Sequence, residues 1–215
     1  KSALINEIVP AVTEANGILI KSKFDQNVSD HAYGAFRSFL PSLVRNILAI
    51  DTANLEYIKS TLQEKLGILS EVLVELSPDL QVLLGPQKIP KPISPREKQN
   101  QTYSAMKILL SVIASRHHPV VLILDDVQWA DQGSLSLTGF LGRTDLKYVM
   151  VVLCYRPEEV SENHPLTQTL KELQNQVSLH HLLVKPLSEV SINELLLETI
   201  PPANKDKHPL TQLIY

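Results

Sequence analysis

The sequence predicts an α/β fold: a parallel sheet held between helices in a three-layer sandwich. Three observations predict it. Val120 to Leu124 and Val149 to Cys154 are short, unbroken apolar runs rich in valine, the pattern of strands buried on both faces. Stretches with helical apolar spacing separate these runs from each other and from a third strand-like segment, so the connections are helical crossovers. Two carboxylates, Asp125 and Asp126, stand where the more apolar run ends. That is the edge at which open α/β sheets bind ligands.

Taken in order, Ser2 to about Ala15 reads as a helix through Leu4, Ile5, Ile8, Val9 and Val12. Pro10 lies inside it and predicts a kink or a break, since an internal proline costs a helix about 3 kcal/mol. Gly17 to Lys23 alternates apolar and polar residues and reads as a strand, closed by Phe24-Asp25-Gln26 at another carboxyl end. From Ala32 to Gly85 the pattern is mostly helical. Phe36, Phe39, Leu40, Leu43, Ile47 and Leu48 share one face, interrupted at Pro41. A second helix runs from Thr52 to Leu66, capped by Asp51 and stopped by Gly67. A shorter one spans Ile68 to Glu75, and Ser77-Pro78-Asp79 starts another. This block, 32–85, reads as a helical insertion that covers one edge of the sheet or serves as a lid.

Gln87 to Pro95 holds three prolines and reads as an extended loop. Ser94 caps a long helix through Arg116, with Tyr103, Met106, Leu109, Leu110 and Ile113 as its buried stripe. After the central strand come a helix over Gln132 to Gly142 with Asp131 as its cap, a buried strand over Lys147 to Tyr155, and a helix over His164 to Gln176. Val177 to Val184 alternates and reads as a final strand. Ser188 starts a helix to Ile200, ended by Pro201-Pro202.

Composition excludes several functions. A net charge of −3 supplies no basic field for nucleic acid or an anionic membrane surface. The single cysteine, Cys154, rules out an internal disulfide framework and points to a reducing compartment. Its apolar neighbours make it a buried core thiol. The longest apolar runs fall far short of the ~20 residues that span a bilayer, and no charged-then-apolar leader is present. A cytoplasmic setting without a membrane partner is expected. Both ends read as cuts, so residues 1–215 are taken as one domain core truncated at each end.

The acid pair suggests chemistry. Two carboxylates at a strand end hold a hydrated magnesium ion and polarise a water, the Walker B pattern of a P-loop nucleotidase. The chain opens Lys1-Ser2, which is how the phosphate loop G-x-x-x-x-G-K-[ST] ends, just before a helix. Other residues leave two readings open. Asp125-Asp126 also fits a helix cap with a solvated turn acid. Arg156 follows the last buried strand and fits either an anion contact or a surface pair with Glu158 or Glu159. Asp25 and Gln26 divide evenly between structural hydrogen bonding and a site role. Trp129 reads as a packing anchor rather than a base-stacking platform. His117-His118 and His180-His181 lack a partner at ligand spacing and read as flanking residues, and Lys88, Lys91 and Arg96 as solvated loop charges.

Leu122 to Asp131, LILDDVQWAD, resembles the strand-plus-WAD signature of STAND-type AAA ATPase modules. These modules occur in large bacterial signalling proteins, between a Ser/Thr-kinase-like region and GAF plus histidine-kinase regions. Lys1-Ser2-Ala3-Leu4 is similar to the family's GKSAL loop exit, and Lys23-Phe24-Asp25-Gln26 to its KFDQ strand end. Cys154-Tyr155-Arg156 with His164-Pro165-Leu166 is similar to its YRDNEV…HPL run, although Pro157-Glu158-Glu159 replaces the usual Asp-Asn-Glu.

The resemblance implies ATP and Mg2+ as cofactors, and a P-loop ATP hydrolase of slow turnover used as a regulatory switch. Attached kinase, GAF or regulator domains would be its partners. In that family Lys1 would meet the β- and γ-phosphate oxygens, and Ser2 and Asp125 would hold the metal. Asp126 would orient or deprotonate the attacking water, and Arg156 would sense the γ-phosphate. An interaction scaffold that has lost turnover is one alternative. An ATPase module of a transcription regulator is another, with DNA read outside residues 1–215.

Overall fold

Three parallel strands position the site: β1 (Ile18–Lys23), β2 (Val120–Asp125) and β3 (Val149–Leu153), in the order β1-β2-β3. The computed structural model describes residues 2–26, 32–87, 92–199 and 211. Register runs from Ile18 opposite Val120 to Lys23 opposite Asp125, and from Val120 opposite Val149 to Leu124 opposite Leu153. Val120 to Leu124 are buried throughout, as a middle strand covered on both faces requires. β1 alternates buried and exposed positions, matching its polar-apolar sequence. β3 is less covered than its apolar run predicts: among the described residues it pairs with β2 alone, and Met150 is 47% exposed.

The first helical stretch is two helices, α1 (Ser2–Asn6) and α2 (Ile8–Glu14). Pro10 has no N–H to give the Asn6 carbonyl, so the helix breaks at Glu7 and restarts with Pro10 in its first turn, where no N–H is needed. Val12 packs with Val121, Ile123 and Cys154 on one face of the sheet, flanked by Ile5, Ile8, Leu19 and Val152. Gly17 follows because the chain must pass close by: a Cβ there would lie 2.8 Å from Val12 Cγ1 and 2.9 Å from the Pro119 carbonyl.

The opposite face is covered by α3 (Gly34–Leu48), α4 (Thr52–Leu66), α5 (Ser70–Leu76), α6 (Gln81–Leu84) and α7 (Pro95–Ile113). Phe36, Phe39, Leu40, Leu43 and Ile47 of α3 share one apolar cluster with Ile18, Ile20, Val120 and Leu122. Helices α4 and α5 lie on α7, which sends Met106, Leu109 and Leu110 into the same cluster. The helix α3 runs through Pro41 without interruption. The lost bond to the Arg37 carbonyl is offset by apolar burial on either side of it.

The caps are largely where the residue types place them. Asp51 accepts from Asn54 N at 3.1 Å, and Gly67 ends α4 with φ 49°. Two hydrogen bonds from Asn54, backbone first and then side chain, hold the Asp51 carboxyl below the usual carboxylate range. Ser94 accepts from Glu97 N at 3.2 Å. The helix α7 ends at Ile113 instead of Arg116, because a turn closed between Ser115 and His118 redirects the chain into β2. Then follow α8 (Gln132–Gly142) and α9 (Pro165–Gln174), the latter capped by His164.

The chain divides into two compact units, split between Leu179 and His180. The strand expected over Val177 to Val184 does not form, and the segment is irregular. Leu182 interrupts its polar face beside Leu183, so neither side is uniformly apolar. Leu182, Leu183 and Val184 are 78%, 70% and 50% exposed, and no described strand pairs with them. The second unit contains α10 (Glu189–Thr199), with Ser188 Oγ accepting from Ser191 N at 3.1 Å. Ile200 and Pro201-Pro202, the expected end of this helix, and Lys88 and Lys91 lie outside the described residues. Among the described residues no helix is long and apolar enough to cross a membrane. The first unit is thus an α/β sandwich: three parallel strands with helices on both faces, matching that of P-loop nucleotidases.

Candidate functional site

The site grows out of the shared register of β1 and β2. Partners in a parallel pair point the same way, so Lys21, Lys23, Ile123 and Asp125 line one face at the strands' carboxyl ends. There they meet α1. Ile5, Asn6, Lys21, Ser22, Lys23, Ile123 and Asp125 line a cavity of about 180 Å³, and Lys21 Nζ donates to Asn6 Oδ1 at 2.6 Å. The early part of the chain and the first acid of the central strand therefore border the same space. The side chains of Lys1 and Ser2 lie outside the described residues.

Beyond Asp125 the backbone turns sharply. Asp126 adopts the left-handed conformation (φ 54°, ψ 45°), which aspartate tolerates better than most residues. Its N–H donates to Asp125 Oδ1 at 3.0 Å, and Val127 N donates to the Cys154 carbonyl at 3.0 Å, tying the turn to the end of β3. This geometry buries Asp126 to 8% exposure. A buried carboxylate needs compensation, and Lys23 and Gln128 supply part of it. Lys23 Nζ lies 3.3 Å from Asp126 Oδ2, and Gln128 Nε2 donates to Oδ1 at 3.4 Å.

Arg156 stands at the neighbouring strand end, but its guanidinium is on Glu159: Nη1 donates to Oε1 at 3.0 Å. Glu159 Oε2 accepts from Gln128 Nε2 at 3.0 Å. Of the predicted site residues, the structure thus brings Asp125, Asp126 and Arg156 to one end of the sheet, with Arg156 reaching Asp126 through Glu159 and Gln128.

Several side chains escaped the sequence reading. In the sequence Lys23 stands out only as part of a motif, and Glu159 only as a surface partner for Arg156. Gln128 gave no signal, because its two partners lie on different segments. Trp129 packs on the cluster of Phe24, Leu124, Val127, Leu135 and Leu166, a packing role. Phe24 is buried in that cluster, while Asp25 and Gln26 are exposed. Cys154 is a buried free thiol. The His118 ring nitrogen Nδ1 lies 3.0 Å from the Asn16 carbonyl, and no group of three metal-ligating side chains occurs among the described residues.

Asp131, expected to cap α8, does more. It accepts from Ser134 N and Ser134 Oγ, and also from Tyr33 N and Gly34 N at the start of α3, 2.9 and 3.0 Å away. One carboxylate thus holds two helix N-termini together. Tyr33 is itself left-handed (φ 65°). Burial, with smaller contributions from Tyr103 and Asp131, pushes its phenol up to about 12.

Mg2+ takes one or two carboxylates and draws its remaining ligands from phosphate oxygens and water. Asp125, partly exposed at the cavity wall, offers that kind of ligand.

The family model described as AAA ATPase domain matches residues 1–152. The chain is similar to hybrid signal transduction histidine kinase G of Dictyostelium discoideum, 35% identical over 143 residues. That alignment takes in 66% of this chain and 4% of the length of that relative. No solved structure matches. With a family match over residues 1–152, well over half of the chain and including both acids of the central strand, the chain belongs to the AAA ATPase domain family.

Proposed function

We propose that this chain is a magnesium-dependent, ATP-binding nucleoside triphosphatase module of the STAND type, working as a regulatory switch in a multidomain signalling protein. The observation that carries it is the cavity where α1 meets the ends of β1 and β2, with Asp125 in its wall and Asp126 beside it. Phosphoryl transfer needs positioning and charge neutralisation more than covalent help. Asp125 and the Ser2 hydroxyl would hold a magnesium ion, which would supply charge neutralisation on the phosphate oxygens, and Lys1 would meet the β- and γ-phosphates. Lys23 and Gln128 hold Asp126 at the cavity's edge, where it orients or deprotonates the attacking water.

Arg156 is the sensor in this scheme. Its contact with Glu159 is exposed, 56% on the arginine side, and such a pair contributes about 0–1 kcal/mol. A γ-phosphate, offering a doubly charged acceptor, wins the guanidinium from Glu159 at little cost. That exchange reports nucleotide state to attached kinase, GAF or regulator domains, an arrangement supported by the relative's description as a hybrid histidine kinase.

The test is phosphate release by the full-length protein. Slow ATP-dependent release that needs Mg2+ and stops with EDTA is expected. ATP binding with no release under any metal condition would establish the scaffold reading instead.

A further inference from the structure

We propose that Gln128 is a positioning residue that couples Arg156 to Asp126 through Glu159, an assignment that rests on the ATPase reading above. The path is continuous: Arg156 Nη1 to Glu159 Oε1 at 3.0 Å, Glu159 Oε2 to Gln128 Nε2 at 3.0 Å, Gln128 Nε2 to Asp126 Oδ1 at 3.4 Å. It joins the turn after β2 to the turn after β3. Each Glu159 oxygen serves a different neighbour, so this carboxylate has a contact on either side.

Gln128 is 4% exposed, and its Oε1 is buried with no hydrogen-bond partner among the described residues. Buried acceptors are rarely left unmet, and each exception needs a reason. Here the reason lies across the amide. Turning it over would bring Oε1 against the carboxylates of Asp126 and Glu159, so the two acids fix the NH2 group between them and leave the oxygen unserved. A side chain present only to fill the space would do so better as methionine, which has similar length and no acceptor to strand.

The consequence is directional. While Arg156 sits on Glu159, part of that carboxylate's charge is compensated. When Arg156 leaves for a phosphate oxygen, Glu159 becomes the stronger acceptor and tightens its hold on the Gln128 amide. The NH2 group that donates to Asp126 Oδ1 is then fixed more firmly in place. Engagement of the γ-phosphate thereby sets the orientation of the base.

The experiment is steady-state phosphate release by the full-length protein carrying Gln128→Met, Glu159→Gln or both, with thermal unfolding measured alongside. Gln128→Met is expected to lower kcat at least about tenfold, as losing an orienting partner does, while KM for ATP and the melting temperature hold. In the Glu159→Gln protein the same change is expected to add no more than about twofold, because the path is already cut. A kcat within about twofold of wild type, independent effects of the two changes, or parallel losses of kcat, KM and melting temperature would each overturn the assignment. If Gln128→Met does not fold, Gln128→Leu, which removes the NH2 donor without adding a charge, is read the same way. Wild-type protein without magnesium-dependent release overturns the ATPase reading itself, and this assignment with it.

Discussion

Asp126→Asn is expected to cut magnesium-dependent phosphate release by roughly 100-fold or more, the usual contribution of a positioned general base, with the fold intact. The two effects separate for structural reasons. Asparagine matches aspartate in shape and adopts the left-handed conformation at φ 54° as readily. It keeps an oxygen for Gln128 Nε2. The lost ion pair is with Lys23, whose side chain is 71% exposed, so its contribution to stability is at most about 1 kcal/mol. What disappears is the charge that orients water. Steady-state release and a thermal melt on the same protein check this. Near wild-type turnover would remove Asp126 from the mechanism, and a collapsed melt would make its role structural.

The largest effect on stability is expected at Asp131. Its carboxylate accepts four hydrogen bonds, two at the start of α3 and two at the start of α8. Loss of a helix cap costs about 1 kcal/mol, and stranding further partly buried N–H groups costs about 1–3 kcal/mol each. Asp131→Ala is therefore expected to destabilise the domain by about 3–5 kcal/mol, lowering the melting temperature by roughly 10 °C for a domain this size. Asp131→Asn, keeping one acceptor oxygen, should lose about half as much. Urea unfolding of both variants checks the order. Equal, small losses would mean that the two helix starts are held by their apolar faces instead.

What the sequence made legible follows from how far apart the interacting residues lie. β2 was readable because five consecutive apolar residues admit few other fates, and β1 because its alternation survives on a half-covered strand. Asp51, Ser94, Asp131 and Gly67 announced helix ends because caps act within a turn. Pro10 marked a break, whose place at Glu7 follows from the carbonyl it leaves unpaired. Long-range partners were hidden. Asp131 meets Tyr33 and Gly34 across nearly a hundred residues, and Lys23 and Glu159 meet Asp126 and Gln128 only because the sheet's register aligns their strand ends. Val177 to Val184 misled because alternation reports a strand only where another strand is there to pair.

Asp125 and Asp126 were legible as candidates because paired acids at the end of a buried strand have few structural uses. Their geometric relation to α1 needed the structure, which sets Ile5 and Asn6 in one cavity wall with Asp125.

A switch of the proposed kind requires that wall to hold a metal–nucleotide complex. Calorimetry of ATP binding to the full-length protein, with and without Mg2+, in wild type and Asp125→Asn, tests it most directly. Magnesium should tighten ATP binding to wild type by about tenfold or more, the scale of a metal's charge stabilisation on phosphate, and Asp125→Asn should lose that gain. An equal gain in both proteins, or none in wild type, would contradict it.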